Sequence, residues 1–268
     1  MKFLYPNGKT KALTFSYDDN QIFDRRLVEI LNQYGLKGTF HLNSGMIGTK
    51  NEQDEFVTWD EIKELYKDHE VACHGYNHPF FGQLPKGELE YEIVEDKKKL
   101  EDTVKYPVRG MSYPFGEYSD EVINTAKVAG IEYSRTVGDT GNFSWPTDFM
   151  KWNPTCHHNE AFRNKDLLNN FINPPSYLNL PLFYIWGHSF EFHRENTWEE
   201  MEKLCEKLSG QKEVWYATNI QIKDYICAVR NLVFSVDQRM IYNPSAITVY
   251  INNNNVVQNI KPGETFMM

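Results

Sequence analysis

Ala12-Leu13-Thr14-Phe15-Ser16-Tyr17-Asp18-Asp19-Asn20 is the stretch that decides the fold. Apolar and β-branched residues run together and stop at two carboxylates and an amide, the form of a buried strand that delivers polar groups to a loop. The period then changes. Phe23, Leu27, Ile30, Leu31 and Tyr34 fall on one face of a helix over Phe23–Tyr34, and Gly35 follows where a left-handed terminal residue is needed. A strand followed by a helix with one apolar face is the start of a βαβ unit.

Outward from this unit the order repeats. Strands are predicted at Ala12–Tyr17, Gly38–Asn43, Glu70–His74, Val108–Tyr113, Ile131–Val137, Pro181–Gly187 and Glu213–Ala217. Helices are predicted near Phe23–Tyr34, Trp59–Lys67, Lys86–Val104, Asp120–Ala129, Lys165–Ile172, Trp198–Leu208 and Ile220–Arg230. Thr58 with Glu61, and Thr197 with Glu200, have the spacing of capping boxes. Seven alternations imply a parallel α/β sheet with crossover helices, and their number points to a closed or nearly closed barrel. Gly138–Asn164 lacks a clean period and reads as a long loop, a length that usually carries function. After Arg230, short alternating runs separated by Asn-Pro, Asn252–Asn255 and Pro-Gly read as a small antiparallel β appendage. The expected division is therefore a barrel over 1–230 and a β-rich extension over 231–268.

Composition narrows the function. With 268 residues, 41% hydrophobic and 24% charged, the chain can bury a substantial core. The net charge of −9 argues against a nucleic-acid partner or an anionic membrane surface. Cys73, Cys156, Cys205 and Cys227 have no paired short spacing and are expected to be reduced. No apolar run reaches membrane-spanning length and no signal peptide precedes the first strand, so the default expectation is cytoplasmic.

In parallel barrels, the loops after the C-terminal strand ends converge on one mouth. The first predicted strand ends at Asp18-Asp19-Asn20, and the third at His74-Gly75-Tyr76-Asn77-His78-Pro79. The fourth is followed by Tyr113-Pro114-Phe115-Gly116, and the sixth by Trp186-Gly187-His188. Two imidazoles and a carboxylate form an open ligand set for a catalytic divalent ion. Of two adjacent aspartates, one can face such an ion and the other a water, because side chains alternate in extended chain. Each motif alone is weak: paired aspartates often cap helices, and His-x-x-x-His is often surface decoration. Their coincidence at the ends of four strands argues for a site.

The motifs resemble those of the polysaccharide deacetylases, carbohydrate esterase family four. Thr14–Asn20 is similar to the first family motif, His74–Pro79 to the second and Tyr113–Gly116 to the third, while Tyr184–His188 stands where the last supplies a histidine. The likeness covers roughly residues 10–227. It implies a distorted (β/α)7 barrel and hydrolysis of an acetyl group, N-acetyl before O-acetyl, on an acetylated oligo- or polysaccharide. It further implies one divalent ion on Asp19, His74 and His78, with zinc first and cobalt, nickel or manganese as alternatives. Asp18 would be the general base, His188 the general acid, and the Phe115 amide an oxyanion donor. Tyr113, Arg109 and Trp186 are further candidates for substrate contact, and Trp145, Trp152 and Phe190 for sugar subsites.

Several positions depart from the family pattern. Asn20 replaces a glycine. Ser112 stands where an arginine is usual, with Arg109 the candidate substitute. The fourth motif survives only as Asp139-Thr140-Gly141-Asn142-Phe143. For the group that tunes His188, Glu191 and His158 are alternatives, although an ordinary polar side chain in contact with solvent accounts better for both. Two other functional classes remain open: an amidase for a small non-sugar C–N bond, and a non-catalytic carbohydrate-binding protein. The retention of both histidines, Asp18 and His188 speaks against the second.

Overall fold

The computed structural model describes residues 1–268. A short strand β1 (Lys2–Leu4) precedes seven strands with parallel pairing: β2 (Lys11–Asp18), β3 (Gly38–Leu42), β4 (Glu70–Cys73), β5 (Gly110–Ser112), β6 (Tyr133–Arg135), β7 (Cys156–His157) and β8 (Leu182–His188). They pair in the order β6-β5-β4-β3-β2-β8-β7. A parallel bridge between Arg135 and Trp152 ties the segment leading into β7 back to β6, which closes the ring. The architecture is a distorted (β/α)7 barrel with a small C-terminal β appendage.

The helices are α1 (Asp24–Gln33), α2 (Trp59–Leu65), α3 (Lys86–Val104), α4 (Asp120–Val128), α5 (His158–Arg163), α6 (Lys165–Ile172), α7 (Ser189–Arg194), α8 (Trp198–Leu208) and α9 (Asn219–Arg230). Leu13, Phe15 and Tyr17 of β2 face this layer, where they join Leu27, Ile30 and Leu31 of α1 in the main core. Each such side chain contributes about 1.5–3 kcal/mol by leaving water. The alternate residues Thr14, Ser16 and Asp18 are buried and bond across the barrel interior.

The seventh stave differs from expectation. Glu213–Ala217 does form a strand, β9 (Val214–Tyr216), but it pairs only with the first three residues of β2. The stave is instead β7, two residues long, inside the segment read as a loop. Thr58 and Glu61 form their capping box, whereas Thr197 has φ −112° and ψ 17° and makes no cap hydrogen bond.

The appendage comprises β10 (Val233–Phe234), β11 (Met240–Tyr242), β12 (Val249–Asn253), β13 (Val256–Ile260) and β14 (Thr265–Met267). Asn254 and Asn255 both have positive φ, which joins β12 and β13 by a tight hairpin of the mirror-image type. β1 pairs with β12, and Ile241, Val249, Ile251 and Ile260 pack with Ala12, Tyr184 and Tyr225 into a second core. Strands and helix α9 thus seal the N-terminal end of the barrel and leave the opposite end open. All four cysteines are free thiols, and no helix is long and apolar enough to cross a membrane.

Candidate active site

The open end gathers the polar strand ends. Register alone sets Asp18 beside His41 of β3 and His188 of β8. The chain then turns sharply: Asp19, Asn20, His78 and Phe115 all have positive φ. Left-handed backbone costs a non-glycine residue on the order of 1 kcal/mol, and such strain collects where a loop must aim its side chains. Asparagine tolerates this region best after glycine, which explains Asn20. Its Oδ1 also accepts the Asn43 N–H at 2.7 Å, tying the first loop to the second.

Asp19 Oδ1 lies 3.5 Å from His74 Nε2 and 3.5 Å from His78 Nε2, and the two Nε2 atoms are 3.1 Å apart. Bonds of about 2.0–2.1 Å at tetrahedral angles would separate ligand atoms by roughly 3.4 Å, so the three donors fit one ion. The chemistry of His74 agrees. Its Nδ1 lies 2.9 Å from the Ser112 carbonyl, which can only accept, so the ring proton is on Nδ1 and the Nε2 lone pair faces the other donors. Asp96 fixes the backbone by accepting the His74 N–H at 3.0 Å and the Ser44 N–H at 2.8 Å. Burial holds the His74 ring neutral, far below its ordinary pKa. Burial also raises Asp19, against the pull of His188 and His78.

Asp18 is buried beside this group, its Oδ2 3.6 Å from His74 Nε2. Arg135, itself fully buried, pairs with Asp18, donates to Ser16 Oγ at 3.1 Å and stacks 4.6 Å from the Trp186 ring centre. Ser112 Oγ donates to Asp18 Oδ1 at 3.0 Å. Burial alone would raise the Asp18 carboxyl; Arg135 first, then His74, outweigh it and hold the group well below the usual carboxylate range.

His188 closes the ring of groups, with Nε2 3.9 Å from Asp19 Oδ2. Its other nitrogen, Nδ1, lies 3.3 Å from Glu191 Oε2, an ion-pair contact whose alignment falls short of a good hydrogen bond. Burial opposes a charge on this imidazole, but Glu191, Asp19 and Asp18 together raise its pKa above the ordinary value. Gly187 is obligatory: a Cβ there would lie 2.1 Å from His158 Nδ1.

Residues 5–134 match the family model described as polysaccharide deacetylase. The chain is related to the polysaccharide deacetylases. The Bacillus cereus peptidoglycan-N-acetylglucosamine deacetylase is 30% identical over 146 residues, 54% of this chain and 62% of that protein. A chitooligosaccharide deacetylase of Sinorhizobium fredii is 24% identical over 136 residues, 50% of this chain and 60% of that protein. The chain thus spans about three fifths of these relatives. Two solved structures share the fold over a longer stretch. One is a Mycobacterium smegmatis protein assigned to the polysaccharide deacetylases, with TM-score 0.60 and 16% identity over 86% of this chain and 95% of that one. The other is the Xyl-CE4 domain of a multidomain xylanase from the hindgut metagenome of Trinervitermes trinervoides, with TM-score 0.54 and 15% identity over 82% and 92%.

Against the family motifs, the structure brings together Asp18, Asp19, His74, His78, His188 and Trp186 and separates others. Arg109 does not reach the mouth. It precedes β5 at the sealed end, where it pairs with Glu132 at 3.3 Å and with Asp224. Arg135 pairs with Asp18 in its stead, a residue the sequence reading missed. The Tyr113 ring is buried in the core, with its hydroxyl donating to the Met150 carbonyl at 2.8 Å. Phe115 is exposed at the rim, stacked on Phe80 at 3.8 Å and 4.5 Å from the His78 ring. Trp152 is core and Trp145 bonds Tyr5 at the sealed end, so neither lines the mouth. Trp186 does, its Nε1 donating to Asp139 at 2.7 Å, and Phe190 stacks on His188. Glu191 is not an idle exposed carboxylate: besides its contact with the His188 ring, it accepts the His188 N–H at 3.0 Å.

Proposed function

We propose that this chain is a metal-dependent hydrolase that removes acetyl groups, N-acetyl foremost, from an acetylated oligo- or polysaccharide. One observation carries the reading: a three-donor cluster of Asp19, His74 and His78 stands between an ionised Asp18 on one side and His188 on the other. Binding alone has no use for an acid–base pair flanking a ligand set.

Asp19, His74 and His78 would hold the ion. A divalent ion bound there supplies Lewis acidity, polarising an acyl carbonyl and lowering the pKa of a water. Asp18 stays ionised across the neutral range, so its carboxylate is ready to accept a proton from a water beside it. Tied to Arg135, it is a weak base. Its position is fixed on two sides by Arg135 and Ser112, which limits the entropy lost on reaching the reactive geometry. His188 presents Nε2 to the cavity and is the group that would protonate a departing amine. The Phe115 amide, on its left-handed turn beside His78, is the proposed donor to the oxyanion. Trp186 and Phe190 supply apolar wall for the acetyl or sugar.

The test is acetate release from a panel of acetylated oligosaccharides, run on protein stripped of metal and then loaded with zinc, cobalt, nickel or manganese. The reading expects release that depends on the ion and on an N-acetyl group. Cleavage of small cyclic amides with no acetate released from any sugar would replace it with the amidase reading.

A further inference from the structure

We infer that Glu191 and His157 are positioning residues that hold His188 in its working orientation; the inference rests on the deacetylase reading above. Glu191 Oε2 faces three imidazoles at once. It accepts the His188 backbone N–H at 3.0 Å and lies 3.3 Å from His188 Nδ1, 3.0 Å from His157 Nε2 and 3.5 Å from His158 Nε2. Two separate parts of the chain thus meet on one carboxylate oxygen: the end of β8 with the first turn of α7, and the end of β7.

The hydrogen positions can be assigned from partners. His157 caps the N-terminus of α5, and its Nδ1 accepts the Asn159 N–H at 3.3 Å. Its ring proton is therefore on Nε2, where it donates to Glu191. That assignment argues against a second ion on His157, His158 and Glu191, although their donor atoms lie close enough for one. A metal would need the Nε2 lone pair of His157, and the backbone already occupies the other nitrogen. His158 is fully buried, stacked 5.9 Å from the Tyr17 ring and 4.3 Å from that of Phe192. It acts as a neutral spacer beneath Gly187.

His188 has two ring faces to the site. Nε2 points toward Asp19, so it is the working nitrogen. Nδ1 is buried, and Glu191 is the carboxylate beside it. A carboxylate that also binds the His188 backbone fixes both the ring's height and its rotation. His157 in turn keeps that carboxylate from swinging to solvent.

Zinc-loaded Glu191→Gln, His157→Ala and His157→Gln would be compared with the wild type on an N-acetylglucosamine oligomer and on 4-nitrophenyl acetate, whose leaving group needs no proton. Glu191→Gln should lower kcat on the amide at least about tenfold with KM and zinc content unchanged, and affect the ester less. His157→Ala should show the same pattern more weakly, and His157→Gln, which restores a donor, should recover most of it. Nitrogen NMR at alkaline pH gives a second measure: His188 should carry its proton on Nδ1 in the wild type and shift toward Nε2 in Glu191→Gln. An unchanged amide kcat in Glu191→Gln, or an identical His188 tautomer in both proteins, would overturn the inference. So would a second zinc equivalent that His157→Ala removes. If no acetylated sugar is turned over, the deacetylase reading fails, and the tautomer comparison still decides whether Glu191 holds His188.

Discussion

Arg135→Met removes the cation that Asp18 depends on while keeping most of the side-chain volume. The wild-type pair is completely enclosed, Arg135 at 0% and Asp18 at 3% side-chain exposure, so water cannot replace the guanidinium. Breaking one side of a buried pair costs about 3–5 kcal/mol. Ser112 Oγ still donates to Asp18, which favours the lower end, near 3 kcal/mol on the same scale. A chain of this size loses roughly 2–4 °C of Tm per kcal/mol, so a fall on the order of 6–12 °C is expected. The pH dependence follows from linkage. The wild-type Asp18 carboxyl is held below its unfolded value, so the pair contributes stability above about pH 4 that disappears as pH falls through the depressed folded value. In Arg135→Met the carboxyl rises and protonates earlier. The stability gap should therefore be full at pH 7 and narrow as the medium becomes acid. Urea unfolding of both metal-free proteins across that range measures it, with ion release kept out of the comparison. A gap of the same size at both ends of the range, or one below about 1 kcal/mol at pH 7, would refute the claim that Arg135 holds Asp18 ionised.

Three further outcomes are expected. His74→Ala should lose the bound ion while its fold, followed by circular dichroism, persists; equal metal content by elemental analysis would remove His74 from the ligand set. Gly187→Ala places a methyl against His158 and should cost about 2–3 kcal/mol in denaturant unfolding, because neither strand end nor buried ring can yield. His188→Ala should impair amide cleavage far more than cleavage of an activated acetate ester, and equal losses on both substrates would leave the acid role without support.

What the sequence disclosed, and what it concealed, follows from strand geometry. Asp18, Asp19, His74, His78 and His188 were legible because strand ends in a parallel barrel share one pole, so linear order suffices to collect them. Arg109 and Tyr113 failed on the same geometry. Arg109 stands three residues before Ser112, about 10 Å down the strand at 3.3 Å per residue, at the far pole. Tyr113 follows Ser112 by one residue; since Ser112 faces Asp18, alternation sends Tyr113 into the helix layer. Arg135 left a trace that could have been followed. An arginine two residues from Tyr133 in an otherwise buried strand needs a buried partner, and Asp18 is the carboxylate at that height. Strand β7 left almost none, because two residues have no period, and only the pairing of Cys156 and His157 with Ile185 and Trp186 of β8 defines it. Glu191 sat in view as the third residue of a helix after His188, a capping position, and the reading as surface missed that the cap and the site are the same place.

The central claim is that Asp18 takes the proton while Asp19, not Asp18, holds the ion. Metal content and acetate release measured together on Asp18→Asn test it most directly. The account predicts one ion per chain, as in the wild type, with turnover reduced on the order of a hundredfold or more. An Asp18→Asn protein that keeps wild-type turnover, or one that loses both its ion and its activity, would contradict it.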